Sequence, residues 1–185
     1  MDQSFLVPRQ MFLTKGVGQH KEKLGSFEVA LRKAGIAQFN IVTVSSIFPP
    51  RCKIISREAG TAQLRPGQIL FAVMSRAATD EPHRLISASI GLARPKNPDD
   101  FGYLSEHHAY GQTDEQAGDY AEDLAAGMLA SALGVKEFDA DSSWDDNSEL
   151  WKISNKIVKS RSITQSAIGK KGVWKTVVAA AVLIV

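Results

Sequence analysis

The sequence predicts an α/β fold in one domain, and three observations carry that expectation. Two segments, 20–34 and 113–134, space their apolar residues as a helix does. Runs rich in β-branched and aromatic residues, at 38–46, 68–76 and 84–94, read as strands. The elements follow in the order βαβββαββ, the pattern of an α/β sandwich whose helices cover sheet faces. A chain of 185 residues fits a single domain spanning 1–185.

The elements can be justified in turn. Residues 5–14 alternate loosely and read as a first strand, with a turn expected at Lys15-Gly16-Val17-Gly18. That glycine pair lacks the third glycine of a dinucleotide fingerprint. The first helix, 20–34, presents Leu24, Phe27, Ala30, Leu31 and Ala34, and Gly35 is suited to ending it. The strand at 38–46 runs into Pro49-Pro50, which stops a regular ladder. After the strands at 68–76 and 84–94 comes a polar loop at 95–100. Residues 102–110 read as strand and then loop. Thr113-Asp-Glu-Gln116 has the form of a capping box. It opens a helix with Ala117, Tyr120, Leu124, Met128 and Ala132 on one face, ending at Gly134. The acidic stretch 139–149 reads as a solvated loop. Residues 151–163 and 172–185 supply two last strands.

Composition excludes several classes. Hydrophobic residues make up 44% and charged residues 23% of the chain, as expected for a packed core. A net charge of +2 without a basic run gives no footprint for nucleic acid. A single cysteine, Cys52, excludes a disulfide framework and a thiol-rich zinc site, and is compatible with the cytoplasm. The N-terminus has no signal-peptide pattern. The apolar run 177–185 is about half the length needed to span a bilayer, so a buried strand is expected there and no membrane association.

The stretch from Asn40 to Pro50, Asn-Ile-Val-Thr-Val-Ser-Ser-Ile-Phe-Pro-Pro, is the most informative. Taken alone, Ser45 and Ser46 are polar residues at a strand end. The form Asn-x5-Ser-Ile-x-Pro-Pro, however, resembles the processing site of the pyruvoyl-dependent arginine decarboxylases. The helix ending Ala34-Gly35-Ile36, the stretch Gly102-Tyr-Leu-Ser-Glu106-His-His-Ala-Tyr-Gly111 and the strand Thr176-Val-Val-Ala-Ala-Ala181 are similar to that family too. The resemblance runs from about residue 24 to the C-terminus.

The resemblance implies a four-layer αββα sandwich, a trimer of cleaved protomers with active sites between subunits, and an amino acid, L-arginine, as the small-molecule substrate, decarboxylated to agmatine. It also implies a covalent pyruvoyl cofactor made from Ser46. The Ser46 hydroxyl would attack the Ser45 carbonyl, the peptide bond would become an ester, and β-elimination would leave dehydroalanine that hydrolyses to pyruvoyl. The products would be a short chain, 1–45, and a pyruvoyl-bearing chain, 46–185. Decarboxylation needs an electron sink that no side chain offers, and the pyruvoyl group would serve in place of pyridoxal phosphate.

Three further positions take roles by the same resemblance. Asn40, whose side chain would share a face with Ser46 in an unbroken strand, matches an active-site asparagine. By itself it reads as a hydrogen-bonded strand residue. Glu106 matches the proton donor to the substrate α-carbon; by itself it reads as a surface charge. Glu28 matches an aspartate that holds the substrate guanidinium, with Leu31 as the apolar residue beside it, although Glu28 alone would face solvent. The Glu28 departure weakens the substrate assignment more than the reaction type. The longer stretch at His107-His108-Ala109 alters the pocket beside Glu106. Adjacent histidines in an extended chain point to opposite sides, so no metal site is expected.

Two other readings compete: an uncleaved homologue that keeps only the fold, and a serine hydrolase using Ser46 with His107 or His108. The second lacks a Gly-x-Ser-x-Gly elbow. Within the decarboxylases, histidine or ornithine is the alternative substrate. On the leading reading, the purified 20.1 kDa chain separates into fragments of roughly 5 and 15 kDa, in proportion to chain length. Ser46→Ala stays whole. Intact mass spectrometry checks this, and a single uncut wild-type chain after long incubation would refute it.

Overall fold

The computed structural model describes residues 6–135, 144–145, 150–153 and 156–185. It is an α/β domain with two sheets and three helices among the described residues. In chain order the elements are β1 (Gln10–His20), α1 (Lys23–Ala34), β2 (Asn40–Thr43), β3 (Ile47–Phe48), β4 (Lys53–Ile54) and α2 (Arg57–Thr61). Next come β5 (Ile69–Thr79), β6 (Leu85–Arg94), β7 (Gly102–Tyr110) and α3 (Asp114–Ala132). The chain ends with β8 (Trp144–Asp145), β9 (Leu150–Ile153), β10 (Lys156–Ile168) and β11 (Trp174–Ile184).

The first sheet has the order β2-β5-β11-β1-β4, and the second β3-β7-β6-β10-β9-β8. Their facing surfaces share one apolar cluster, which includes Met11, Val73, Ile86, Ile90, Leu92, Leu104, Val177 and Leu183. β6 and β11 are buried along almost their whole length, so the near-continuous apolar run at 177–184 is an interior strand. The outer face of the first sheet packs Phe12, Leu70, Ala72 and Val182 against Ala34 and Ile36 at the end of α1. The second sheet places Ala93 against Ala125, Leu129 and Ala130 of α3.

Several expected boundaries move. The first strand starts at Gln10 and runs through to His20, so Gly16 and Gly18 are strand residues and no turn occurs there. Their lack of side chains serves packing. A Cβ on Gly16 would overlap the Ala30 carbonyl, and one on Gly18 the Ser26 carbonyl. With the helix backbone pressed so close, its small residues Ser26, Ala30 and Ala34 are the buried ones, and Leu24 is left 77% exposed. The same rule turns α3. Gly91 lies against the Ala121 carbonyl, the buried face is Ala117, Gly118, Ala121, Ala125, Ala126, Leu129 and Ala130, and Tyr120 and Leu124, grouped with Ala117 on one face by their spacing, are exposed.

The helix ends follow the sequence. Gly35 is left-handed with φ 78°, and both capping-box bonds between Thr113 and Gln116 form. Residues 102–110 are strand throughout, and 151–168 divides into β9 and β10. The short helix α2, capped by Ser56, had no periodic signal at five residues. Of the expected acidic loop, Trp144–Asp145 is strand, and residues 139–143 and 146–149 lie outside the described residues.

The strand expected at 38–46 is the most consequential change. It stops at Thr43, and a new strand in the other sheet begins at Ile47. Residues 44–46 therefore carry the chain from the edge of one sheet to the edge of the other. From Phe48 the chain runs on across the end of the inter-sheet space to pair with β1 at the far edge, burying Phe48 and Cys52 in the shared core.

The glycine–helix contact gives a stability expectation. Gly16→Ala should destabilise the fold by about 1–3 kcal/mol, the usual cost of overpacking a rigid site, read from the urea midpoint. An unchanged midpoint would mean that α1 can shift away from β1 freely.

Candidate active site

The crossover at 44–46 is held by three backbone hydrogen bonds. Val44 N–H donates to the Ala72 carbonyl at 3.1 Å, continuing the β2–β5 pairing by one residue. Ile47 N–H donates back to the Ser45 carbonyl at 3.0 Å, a three-residue turn centred on Ser46. Leu104 N–H donates to the Ser46 carbonyl at 2.7 Å, tying that residue to β7. Ser45 is exposed and Ser46 half-buried. A mainly apolar cavity of about 420 Å³ adjoins Ser45, walled by Val44, Ile47, Pro49, Phe71 and Leu183 among others.

β7 joins Glu106 to this junction. Leu104 lies in the inter-sheet core, and strand alternation gives Glu106 and His108 the same face. Glu106 is two residues beyond Leu104, about 7 Å along the strand. It keeps one side open to solvent, yet desolvation by its surroundings pushes its carboxyl above the usual carboxylate range. His107 takes the opposite face, with Nε2 2.7 Å from Gln112 Oε1 and its ring 4.4 Å from that of Tyr120. His108 instead lines a second cavity, of about 490 Å³, with Phe27, Arg76, Tyr110 and Thr176. The two histidines thus point to opposite sides, and among the described residues no cluster of three or more His, Cys, Asp or Glu is placed to hold a metal ion.

The remaining candidates lie apart from the junction within one chain. Asn40 stands at the start of β2, beyond a four-residue strand, and its amide donates to the Gly67 carbonyl at 2.8 Å. The break in the strand after Thr43 removes the continuous alternation that would have put Asn40 and Ser46 on one face. Glu28 is on α1 and forms an exposed two-point pair with Arg32, one turn along. Leu31 is partly buried against the outer cluster of the first sheet. Cys52 belongs to the core; burial raises its thiol pKa to about 11, so it is protonated and unreactive at neutral pH. The Ile47 and Leu104 N–H groups were not visible in the sequence, because a backbone donor has no residue signature.

Ser46 is attached to β7 through its own carbonyl and through Ile47–Phe48. A serine pair at an inter-sheet crossover, anchored in this way beside a desolvated carboxyl group, has the features of a self-processing decarboxylase. Comparison with known proteins is specific. The family profile for pyruvoyl-dependent arginine decarboxylase matches residues 10–185. The pyruvoyl-dependent arginine decarboxylase of Nitrosopumilus maritimus is 58% identical over 181 residues, covering 97% of this chain and 98% of that one. The probable enzyme of that name from Chlorobium limicola is 59% identical over 178 residues, covering 96% and 98%. Pyruvoyl-dependent arginine decarboxylase 2 of Methanosarcina acetivorans is 51% identical over 180 residues, covering 97% and 98%. The chain belongs to the pyruvoyl-dependent arginine decarboxylase family, whose members depend on a covalently bound pyruvoyl group.

The raised pKa of Glu106 sets the sign of a pH effect. The fold disfavours the ionised carboxyl, so the stability linked to this group is present below its unfolded pKa and is lost as pH rises through the folded value. In an uncut Ser46→Ala background, Glu106→Gln should raise the urea midpoint at pH 7 and leave it nearly unchanged at pH 4. A lowered midpoint at pH 7 would show that Glu106 is stabilised in its charged form.

Proposed function

We propose that this chain cuts itself between Ser45 and Ser46 and then decarboxylates L-arginine to agmatine and carbon dioxide. The observation that carries the reading is the pinned Ser45–Ser46 crossover beside β7, in a chain of this family. Cleavage divides it into 1–45 and 46–185. The pyruvoyl group at 46 supplies an electrophilic carbonyl that can hold the substrate amine and accept electrons.

The chain's own residues do the rest. The Leu104 N–H keeps residue 46 in place. Glu106, whose carboxyl is pushed above the usual carboxylate range by desolvation, delivers a proton to the substrate α-carbon after carbon dioxide departs. Val44, Ile47 and Phe71 give the Ser45 side an apolar wall.

Asn40, Glu28 and Leu31 act from a neighbouring subunit in this reading, since each lies away from its own junction. Glu28 pairs with the substrate guanidinium in place of Arg32, and Leu31 packs beside the substrate chain; a carboxylate meets a guanidinium at two points. Asn40 orients the reacting carbonyl. The assembly is a trimer of cleaved protomers, each a four-layer αββα sandwich. Exposed apolar residues support closure by a partner: Val42 and Ile47 at the junction, Leu24 on α1, Tyr120 and Leu124 on α3. No helix among the described residues is long and apolar enough to cross a membrane. We assign the enzyme to the cytoplasm, where a lone buried thiol is at home.

The reading is tested by carbon dioxide release from a panel of amino acids, with arginine preferred over lysine, ornithine and histidine. Glu28→Gln should raise KM for arginine with little effect on chain cleavage. If histidine or ornithine outperforms arginine, the substrate assignment fails and the cleavage assignment survives. Glu106→Gln should still cut at 45–46, while turnover falls by about two to four orders of magnitude, the usual reach of a general acid. Turnover near the wild-type rate would remove Glu106 from the mechanism.

A further inference from the structure

Cleavage at Ser45–Ser46 builds negative charge on the Ser45 carbonyl oxygen as the Ser46 hydroxyl adds to it. Such a reaction needs a hydrogen-bond donor already aimed at that oxygen. Within its own chain Asn40 stands at the other end of β2, donating one amide hydrogen to the Gly67 carbonyl rather than to this oxygen. The Leu104 N–H is committed to the next carbonyl along, that of Ser46. The Ile47 N–H, 3.0 Å from the Ser45 oxygen, points at the scissile carbonyl itself. That separation is an ordinary hydrogen bond to the ground-state carbonyl, so this donor already faces the oxygen on which charge will develop.

We infer that the backbone N–H of Ile47 is the oxyanion donor for self-cleavage, presented by the three-residue turn that puts Ser46 between acceptor and donor. The proposal rests on the cleavage reading above and deepens it. The Ser46 Oγ forms a bond to the Ser45 carbonyl carbon, and the hydroxyl proton passes to the Ser46 nitrogen as the C–N bond breaks, leaving an ester. Loss of the Ser46 α-proton then expels the Ser45 carboxylate from Cβ. Water adds to the resulting dehydroalanine after tautomerisation, and ammonia leaves. The Ile47 N–H acts only on the first step. It tightens on the oxygen while the carbon is tetrahedral and relaxes when the ester carbonyl reforms.

The turn also explains why the donor needs no dedicated side chain. β3 pairs Ile47 with Tyr103 and Phe48 with Gly102, so the donor residue is fixed to the second sheet. Val44 is bonded to Ala72 in the first sheet, so the acceptor side is fixed as well. The hydrogen bond across Ser46 spans these two anchored ends, and the oxyanion position is set before the reaction begins.

The test replaces single backbone N–H groups by ester oxygen, using the α-hydroxy analogue of isoleucine at 47 or of valine at 44. Each variant loses one donor that anchors the same crossover, but only the first loses the donor aimed at the scissile carbonyl. Cleavage at 45–46 is followed by mass spectrometry on folded protein. We expect the Ile47 ester to slow cleavage about 100- to 1,000-fold, the effect of removing one oxyanion donor, and the Val44 ester to slow it less than about tenfold, since it leaves that donor in place. Cleavage of the Ile47 ester within tenfold of wild type, or equal slowing by both esters, overturns the assignment while cleavage itself stands. A wild-type chain that never cuts removes the reaction and the assignment together. If the ester chain does not fold, a carbon-13 label on the Ser45 carbonyl of Ser46→Ala gives a second reading. A carbonyl stretch lowered from that of a free amide supports the donor, and an unshifted stretch overturns it.

Discussion

The passage of the chain from one sheet edge to the other within residues 44–46 is the constraint on which the site depends. Both sheets end on the same side, β2 beside β5 in one and β3 beside β7 in the other. Three residues are enough to cross between them only if their backbone groups are directed outward at both ends. The bonds from Val44 to Ala72 and from Leu104 to Ser46 do this. What is left in the middle is a short turn with a serine at its centre. A backbone fixed at two ends by different sheets cannot relax by sliding, because each sheet is held by its own register.

The same crossing decides what surrounds the site. Leaving β3, the chain runs over the open end of the inter-sheet core and puts Phe48 and Cys52 into it. Pro49-Pro50 and Arg51, the last in a left-handed conformation at φ 55°, make the bend, with Arg51 N–H bonded to the Pro98 carbonyl. Phe48 and Cys52 thus fill that end of the core, while one cavity adjoins Ser45 and another lies further along β7 beside His108 and Arg76. Glu106 lies between these two regions, which accounts for a carboxyl that is partly desolvated and still reachable.

Close packing of helices on sheets shapes the outer surface. Glycines in β1 and β6 bring α1 and α3 against the sheets through small residues, and larger apolar side chains are turned outward. The helical periodicity in the sequence identified the helices but grouped Leu24, Tyr120 and Leu124 with residues that are buried. Size rather than hydrophobicity chooses the buried face when the backbone of a neighbouring strand is less than a side chain away.

Much was legible in the chain itself. β-branched runs announced the long strands, Gly35 and the Thr113–Gln116 box announced helix ends, and the serine pair before Ile-Phe-Pro-Pro announced the junction, since each is a local preference written in residue type. Strand breaks were not legible. Nothing in Val42 to Ile47 says that two different sheets claim its ends, because Thr43 pairs with Ala72, 29 residues away, and Ile47 with Tyr103, 56 residues away. The positions of Asn40 and Glu28 away from the junction, the desolvation of Glu106 and the backbone donors around Ser46 were likewise decided by tertiary structure. Residue type determines what a group can do chemically. Only the assembled sheets determine which groups meet, because the contacts that bring them together join parts of the chain that local preference cannot connect.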